Sequence, residues 1–447
     1  MNGDGMEARK LMGNPYVRVT FVTKQSAGLS ATTRVVSLSM RKHLREAAGS
    51  FTLQIKPRTR GELEQWENLL EPMDIILIQF DPDSAAMLGL IDRVGKGRVV
   101  AEGGQVTQGL TISGRDFGKA FIMDTVAYFP ALVGSDTVWE ERFPLPLMRI
   151  TTKSFRGGTV KEALQSIWND SPVANKEYAQ AAGATTLRQY IDVGEKIETF
   201  PDSFVWNEAL AMFTGSIWNY METVLDRAFY MMYVDTAAAL SPRPRAHLVV
   251  RPFPFDETGD FSWRSARTFA RPEMAYHEFT AADFLEDNIA RSDTDQRSVF
   301  QVMPEGWIIG AEEILESFGP RVDDDLVKAY GWRPMIVRTH LMPDGAFTFT
   351  DNNENVMLGQ NTTAIDHCET FRDRLYDWHH ENAKLFGGTI TIRGYPLAHI
   401  GDWCLARWDG RSYFIEGVEH QWRMDRAPFR TVLSVSRGKT RIMPGVS

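Results

Sequence analysis

A chain of 447 residues exceeds what one hydrophobic core usually serves, and at roughly 150 residues per domain it should fold as two to four units. Its apolar share of 43% and charged share of 24% are those of folded proteins, which excludes a disordered or fibrous chain. The formal charge of -9 argues against a surface built to grip phosphate backbones, and no run nears the roughly 20 apolar residues of a membrane span. Only Cys368 and Cys404 are present, which excludes a disulfide scaffold, and the opening MNGDGMEARK carries no apolar signal region. Folding in the cytoplasm, without a membrane anchor, is expected.

In chain order, residues 1–14 read as a flexible tail. From Pro15 the pattern alternates, with Val17, Val19 and Phe21 on one face and Arg18 and Thr20 on the other, as a strand requires. Further strands are expected at 51–55, 74–80, 88–94, 98–102 and 108–113, with a short helix at 62–70. Residues 15–120 therefore read as one β-barrel-like domain. Residues 121–385 are richer in helical signals. Thr159 and Glu162 have the spacing of a capping box, and Val160, Leu164, Ile167 and Trp168 continue at helical period. A second helix is expected over 206–229. Pro242, Pro244, Pro252, Pro254 and Pro272 make 240–275 extended or looped, with a strand-like run at 247–251. A last helix over 363–386 presents Phe371, Leu375, Trp378 and Leu385 and meets a Gly387-Gly388 stop. Residues 386–440 return to strands at 389–393, 403–408, 412–420 and 430–436, with Asp409-Gly410 as a hairpin turn, before a tail at 441–447. The fold class is α+β: two β-barrels flanking an α-rich middle.

The two β regions resemble each other. LQIK at 53–56 parallels ITIR at 390–393, and the run from Asp74 to Asp81 parallels that from Asp402 to Asp409, with Phe80 and Trp408 at the same place. LIDRV at 90–94 parallels FIEGV at 414–418, setting Asp92 against Glu416 and Val94 against Val418. LTIS at 110–113, with Arg115 beyond, parallels LSVS at 433–436, with Arg437 beyond. Four blocks in one order are what two copies of a supersecondary unit leave behind. Matched spacing predicts that Phe80 and Trp408 point to the same side of their sheets.

The same residues carry a family resemblance. EPMD at 71–74, GLID at 89–92 and SGRDFGK at 113–119, which holds Gly114, Arg115 and Asp116, resemble the first tube-like domain of baseplate hub proteins of contractile-tailed phages. Those proteins are related to late control proteins and type VI secretion spike hubs. GTITIRG at 388–394, with Gly388, Arg393 and Gly394, then Asp402, Glu416, Val418, Arg437 and Gly438, resemble that family's closing strands. The resemblance implies two tail-tube-like barrels per subunit and a non-enzymatic homotrimer with pseudo-sixfold symmetry in the virion baseplate. Its implied partners are the tail tube or a tube-initiator protein, the central spike and other baseplate proteins, with DNA passing through the lumen without specific binding.

The sequence carries no motif for catalysis or a cofactor. RGKT at 437–440 lacks the first glycine of a phosphate loop, which would fall at Leu433, and Gly134-Ser135 and Gly215-Ser216 lack the nucleophile elbow. His367, Cys368, His379 and His380 are too far apart or divergent to converge on a metal, and read as polar residues of a helix surface. The acidic clusters 312–313 and 323–325 read as solvated surface. Met231, Met232, Trp403 and Trp408 are candidates for core or for a subunit interface. Two alternatives stay open: a tail-associated peptidoglycan hydrolase, and the hub of a tailocin or type VI-like secretion apparatus.

Overall fold

In the computed structural model the described residues are 15–23, 29–32, 34–81, 84–100, 106–126, 158–169, 171–177, 186–199, 204–205, 215–236, 244–253, 261–262, 268–269, 276–304, 318–342, 362–424 and 429–440. Seven strands form the N-terminal region: β1 (Arg18–Val22), β2 (Leu29–Thr32), β3 (Val35–His43), β4 (Ser50–Ile55), β5 (Ile75–Asp81), β6 (Ser84–Val100) and β7 (Val106–Asp116), with apolar alternation plainest in β4. Helix α1 (Arg60–Leu69) follows β4. Its N-cap Thr59 accepts a bond from the Glu62 amide through its side chain, and Leu63 is buried on the sheet.

Among its described residues the middle holds strands as well as helices. It holds α2 (Gly118–Met123), α3 (Val160–Asn169), β8 (Ile191–Asp192), α4 (Ile217–Leu225), β9 (Tyr230–Thr236) and β10 (Ala246–Pro252). The expected capping box opens α3: the Glu162 amide donates to Thr159 Oγ1 at 3.2 Å and the Thr159 amide donates to Glu162 Oε2 at 2.9 Å. The helix expected over 206–229 is shorter where described, capped by Ser216 and ended by Asp226 at φ 55°. Residues 206–214 of that expectation, and most of 240–275, lie outside the described residues; β10 accounts for the run at 247–251.

Strands β11 (Tyr276–Phe279) and β12 (Phe284–Arg291) precede an insertion holding β13 (Val299–Pro304), α5 (Asp324–Tyr330), β14 (Pro334–Thr339) and α6 (Thr362–His379). The chain closes with β15 (Phe386–Arg393), β16 (Trp403–Ala406), β17 (Arg411–Arg423) and β18 (Arg430–Thr440). Helix α6 stops before the expected glycine pair, because the His380 ring nitrogen caps the carbonyls of Tyr376 and Asp377 at 2.9 and 3.2 Å. Gly387 and Gly388 lie inside β15 instead. Among the described residues no helix is long and apolar enough to cross a membrane.

One path of hydrogen-bonded neighbours runs β12-β15-β18-β17-β3-β4-β7-β6-β5-β1-β2, with β16 bonded to β17 and β11 to β16. The two expected barrels are thus two stretches of a single sheet, and no pairing among the described residues closes either stretch on itself. The N-terminal order β3-β4-β7-β6-β5 recurs as β12-β15-β18-β17-β16, antiparallel at every step. Residues 284–291, which a boundary at 386 assigns to the middle, pair as the first strand of the second unit.

The match extends to irregularities. A bulge interrupts β3 between Val35 and Ser37, opposite Ile55 and Gln54, and another interrupts β12 between Phe284 and Glu286, opposite Ile392 and Thr391. A second matched pair falls at Asp92 of β6 and Glu416 of β17. A bulge inserts one residue and sharpens local twist, so two coincident pairs fix both units to one curvature. Before the second strand of each block, Met73 at φ 75° donates from its amide to the Ile91 carbonyl at 2.8 Å, and Gly401 at φ 83° donates to the Ile415 carbonyl at 2.8 Å. The unit differs at its edge: β1 runs antiparallel to β5, whereas β11 runs parallel to β16.

The fourth block needs a correction. Ile112 pairs with Leu53 as Leu433 pairs with Ile390, so Arg115 corresponds to Ser436 and Asp116 to Arg437. A slip of two residues keeps every side chain on its own face, so alternation alone could not detect it. The side-chain expectation holds. Phe80 lies in one core with Ile76 and Ile78, and Trp408 packs against a core holding Cys404 and Ala406, at the matching places.

Gly401 and Gly410 both hold positive φ, 83° and 68°, but a Cβ on Gly401 would meet Arg251 Nη2 at 2.3 Å, while Gly410 has open space. Gly410→Ala should therefore cost about 1 kcal/mol, and Gly401→Ala about 2 kcal/mol or more, because Arg251 would also lose its bond to the Ile400 carbonyl. Urea denaturation of the two variants checks this; equal midpoints would contradict the packing of Arg251 against Gly401.

Candidate assembly surface

The two units meet where residues 417–423 of β17 pair antiparallel with residues 37–43 of β3, from Gly417 opposite His43 to Arg423 opposite Ser37. Gly417 is required there, since a Cβ would lie 2.6 Å from the His43 ring. Side chains cross the join. Trp422 and Phe429 of the second unit are buried in the core of the first, and the Trp422 indole donates to the Pro15 carbonyl at 3.1 Å. Phe429 lies 4.5 Å from Phe80 between ring centroids, with His420 5.4 Å from Phe80. Burial pushes the His420 imidazole down to about 3, so it is neutral in this apolar setting.

A charged knot ties the middle to both units beside the join. Lys42 Nζ of β3 lies 3.6 Å from Asp235 Oδ1 of β9 and 3.9 Å from Asp116 Oδ2 of β7, and His399 Nδ1 lies 3.4 Å from Asp235 Oδ2. Burial alone would raise the Asp235 carboxyl, but the His399 and Lys42 charges hold it well below the usual carboxylate range. Asp235 in turn raises the His399 imidazole against the effect of its burial. Burial pushes the Asp116 carboxyl up to about 6, opposed by Lys42. None of these four roles was legible in sequence, because the partners lie on separate elements and each is an ordinary residue in its own strand or loop.

The motif residues make contacts within the chain. Asp92, at its bulge, binds Arg115 Nε at 2.9 Å and Lys119 Nζ at 2.6 Å. Asp74 is buried, and its side chain accepts from the Glu71 amide at 2.8 Å. Asp402 accepts from His277 Nε2 at 2.9 Å, while the Glu416 carbonyl accepts from the Leu44 amide at 2.7 Å across the join. Gly114, Gly388, Gly394 and Gly438 each lie where a Cβ would meet a neighbour below 3 Å, and Val418 is buried. The Arg393 amide donates to the Asp283 carbonyl at 2.8 Å. Arg437 lies 3.5 Å over the Trp378 ring and donates to Asn382 Oδ1 at 3.2 Å.

The candidate interface residues turn inward. Met231 and Trp403 share a small core with Phe414, Met232 belongs to the large middle core, and Trp408 lies 4.8 Å from the Phe284 ring centroid. His367 and Cys368 are buried, not surface residues; burial pushes His367 down to about 3 and raises the Cys368 thiol. Asp323 caps α5 by accepting from the amides of Asp325 and Leu326 at 3.2 and 3.0 Å, and 312–313 lie outside the described residues. A cluster the sequence did not suggest is Asp192, Glu195 and His247, whose side-chain ligand atoms lie within 4.8 Å of one another. Asp192 and His247 meet because β8 pairs with β10, a contact between short strands remote in sequence.

Besides the outer edges of β2 and β11, two sheet edges of the repeated units lack a strand partner among the described residues. One is the outer edge of β12, the terminal strand of the path, where Glu286, Asp287 and Asn288 are exposed. The other is β6 beyond Leu90, where pairing with β5 ends while pairing with β7 continues to Val100. Exposed edges are ready templates for another chain.

Because His399 is raised by its pairing with Asp235, the stability it adds is fully present below its unfolded value near 6.5 and is lost as pH rises through the folded value. His399→Gln should thus lower the urea midpoint more at pH 6 than at pH 9, by a modest amount because the ring keeps a solvent-exposed side. A midpoint difference that is constant or grows with pH would contradict the knot.

No family model matches the sequence, and no curated protein matches it. Among solved structures, a tail protein from Neisseria meningitidis MC58 is similar over 95% of this chain and 96% of its own, at 13% identity and a TM-score of 0.47. A prophage MuSo2 43 kDa tail protein from Shewanella oneidensis is similar over 94% and 98%, at 12% identity and 0.45. An E. coli component of the type VI secretion system is similar over 91% of this chain and 74% of its own, at 8% identity and 0.40.

Proposed function

We propose that the chain is a structural, non-enzymatic hub subunit of a contractile phage tail baseplate. Three copies form a ring that joins a sixfold tail tube to a threefold central spike and leaves a channel for DNA. The observation that carries this reading is the internal repeat: two units with one strand order and coincident bulges lie side by side in a single sheet. A threefold ring of such subunits presents six nearly equivalent docking edges, which matches a tube of one symmetry to a spike of another. The net charge of -9 suits a conduit, since an acidic lumen does not hold a phosphate backbone. The tube or its initiator, the spike and other baseplate proteins are the partners this role requires.

Light scattering of the purified chain over a concentration series tests the assembly. The expected mass is three times that of the chain at micromolar concentration; a stable dimer, or a monomer throughout the series, would overturn the proposal.

A further inference from the structure

The join inside the chain is a pairing between equivalents of two strands whose edges are open, β6 and β12. Strand β17 matches β6, with Gly417 at the place of Arg93, and β3 matches β12, with Ser37 at the place of Glu286. We propose that the open edge of β6 in one copy pairs antiparallel with the open edge of β12 in the next, repeating the internal join between subunits. This rests on the ring reading and specifies its contact. Equivalence also fixes the register: Arg93 opposite Ser292, Val94 opposite Arg291, Gly95 opposite Ala290, Lys96 opposite Ile289, Gly97 opposite Asn288, Arg98 opposite Asp287 and Val99 opposite Glu286.

Charge supports a second copy of this chain as the occupant. Open β12 carries Glu286 and Asp287, both exposed and without an ion pair among the described residues. Open β6 carries Arg93, Lys96 and Arg98; Arg93 has no ion pair there, and Lys96 binds Glu67 of α1 at 2.9 Å. Charged side chains on an edge ordinarily discourage pairing, but these two edges are of opposite sign and are complementary to each other.

Charge is placed differently at the internal join. There β3 carries Arg41 and Lys42, and Glu419 of β17 lies opposite Arg41, while Arg423 of β17 lies opposite Ser37. Offered to β3 in the same register, β6 would set Arg93 opposite His43 and bring Lys96 and Arg98 onto a strand that already carries Arg41 and Lys42, base against base. The β6 edge is therefore selected against β3 as its partner, which favours alternation of first and second units around a ring. The contact is head-to-tail, so it generates a closed ring or an open filament according to the rotation per copy.

Gly97→Cys combined with Asn288→Cys places two thiols opposite each other in the proposed register, and Gly97 has only ordinary contacts for a new Cβ. The native cysteines are buried. Mild oxidation should give intermolecular cross-links at least ~10-fold faster than the offset pair Gly95→Cys with Asn288→Cys, given the steep distance dependence of disulfide geometry. As a second arm, Glu286→Lys with Asp287→Lys should raise the concentration for half-dissociation by at least ~10-fold, and adding Arg93→Glu with Arg98→Glu should restore it. Restoration excludes misfolding as the cause. If the unmodified protein assembles while the register pair cross-links no faster than the offset pair and the charge swap changes nothing, this contact is wrong and the ring reading stands. If the unmodified protein stays monomeric, both fall.

Discussion

Seven consecutive residue pairs between β3 and β17 set where every other part of this molecule sits. Strand β17 is shared: its first residues bond to β16 inside the second unit, and residues 417–423 bond to the first. One long strand therefore carries the twist of one unit directly into the other. Trp422, Phe429 and His420 then fill the first unit's core from the second unit's side, so the join is packed as well as hydrogen-bonded. A buried aromatic side chain removed from such a place typically costs about 3–5 kcal/mol, comparable with a large part of a domain's net stability. The units cannot behave as beads on a linker.

The middle is held to this frame by electrostatics as well as by apolar contact. Its core merges with one face of the first unit through Ile75, Leu77, Leu88 and Leu90. Lys42, Asp116, Asp235 and His399 then tie three regions at one point. A buried charge group of this kind contributes little net stability but penalises any arrangement that separates its members, so it fixes relative placement.

Much of the second unit was legible because buried strands alternate. The blocks at 53–56, 74–81 and 90–94 found their counterparts at 390–393, 402–409 and 414–418, and the capping box at Thr159 and Glu162 formed as spaced. Strand β12 was not legible, since its burial is low on both faces and its residues, FLEDNIAR, show no alternation. Strand β3 carried a signal in Leu38 and Met40, interrupted by the bulge at Val36. The insertion of 292–385 between paired strands β12 and β15 moved the apparent domain boundary, because sequence order conceals a pairing made across so long an excursion. The candidate surface was the least legible part, since an edge is defined by what does not pair with it.

The physical picture is of one sheet in which a five-strand order occurs twice, with bulges that coincide at two places. An electron-microscopy map of the purified assembly at modest resolution tests this most directly. The account predicts six similar lobes, linked edge to edge around an open channel, with three outer densities from the middle regions. A twofold particle without a channel, or three lobes separated by gaps, would contradict it.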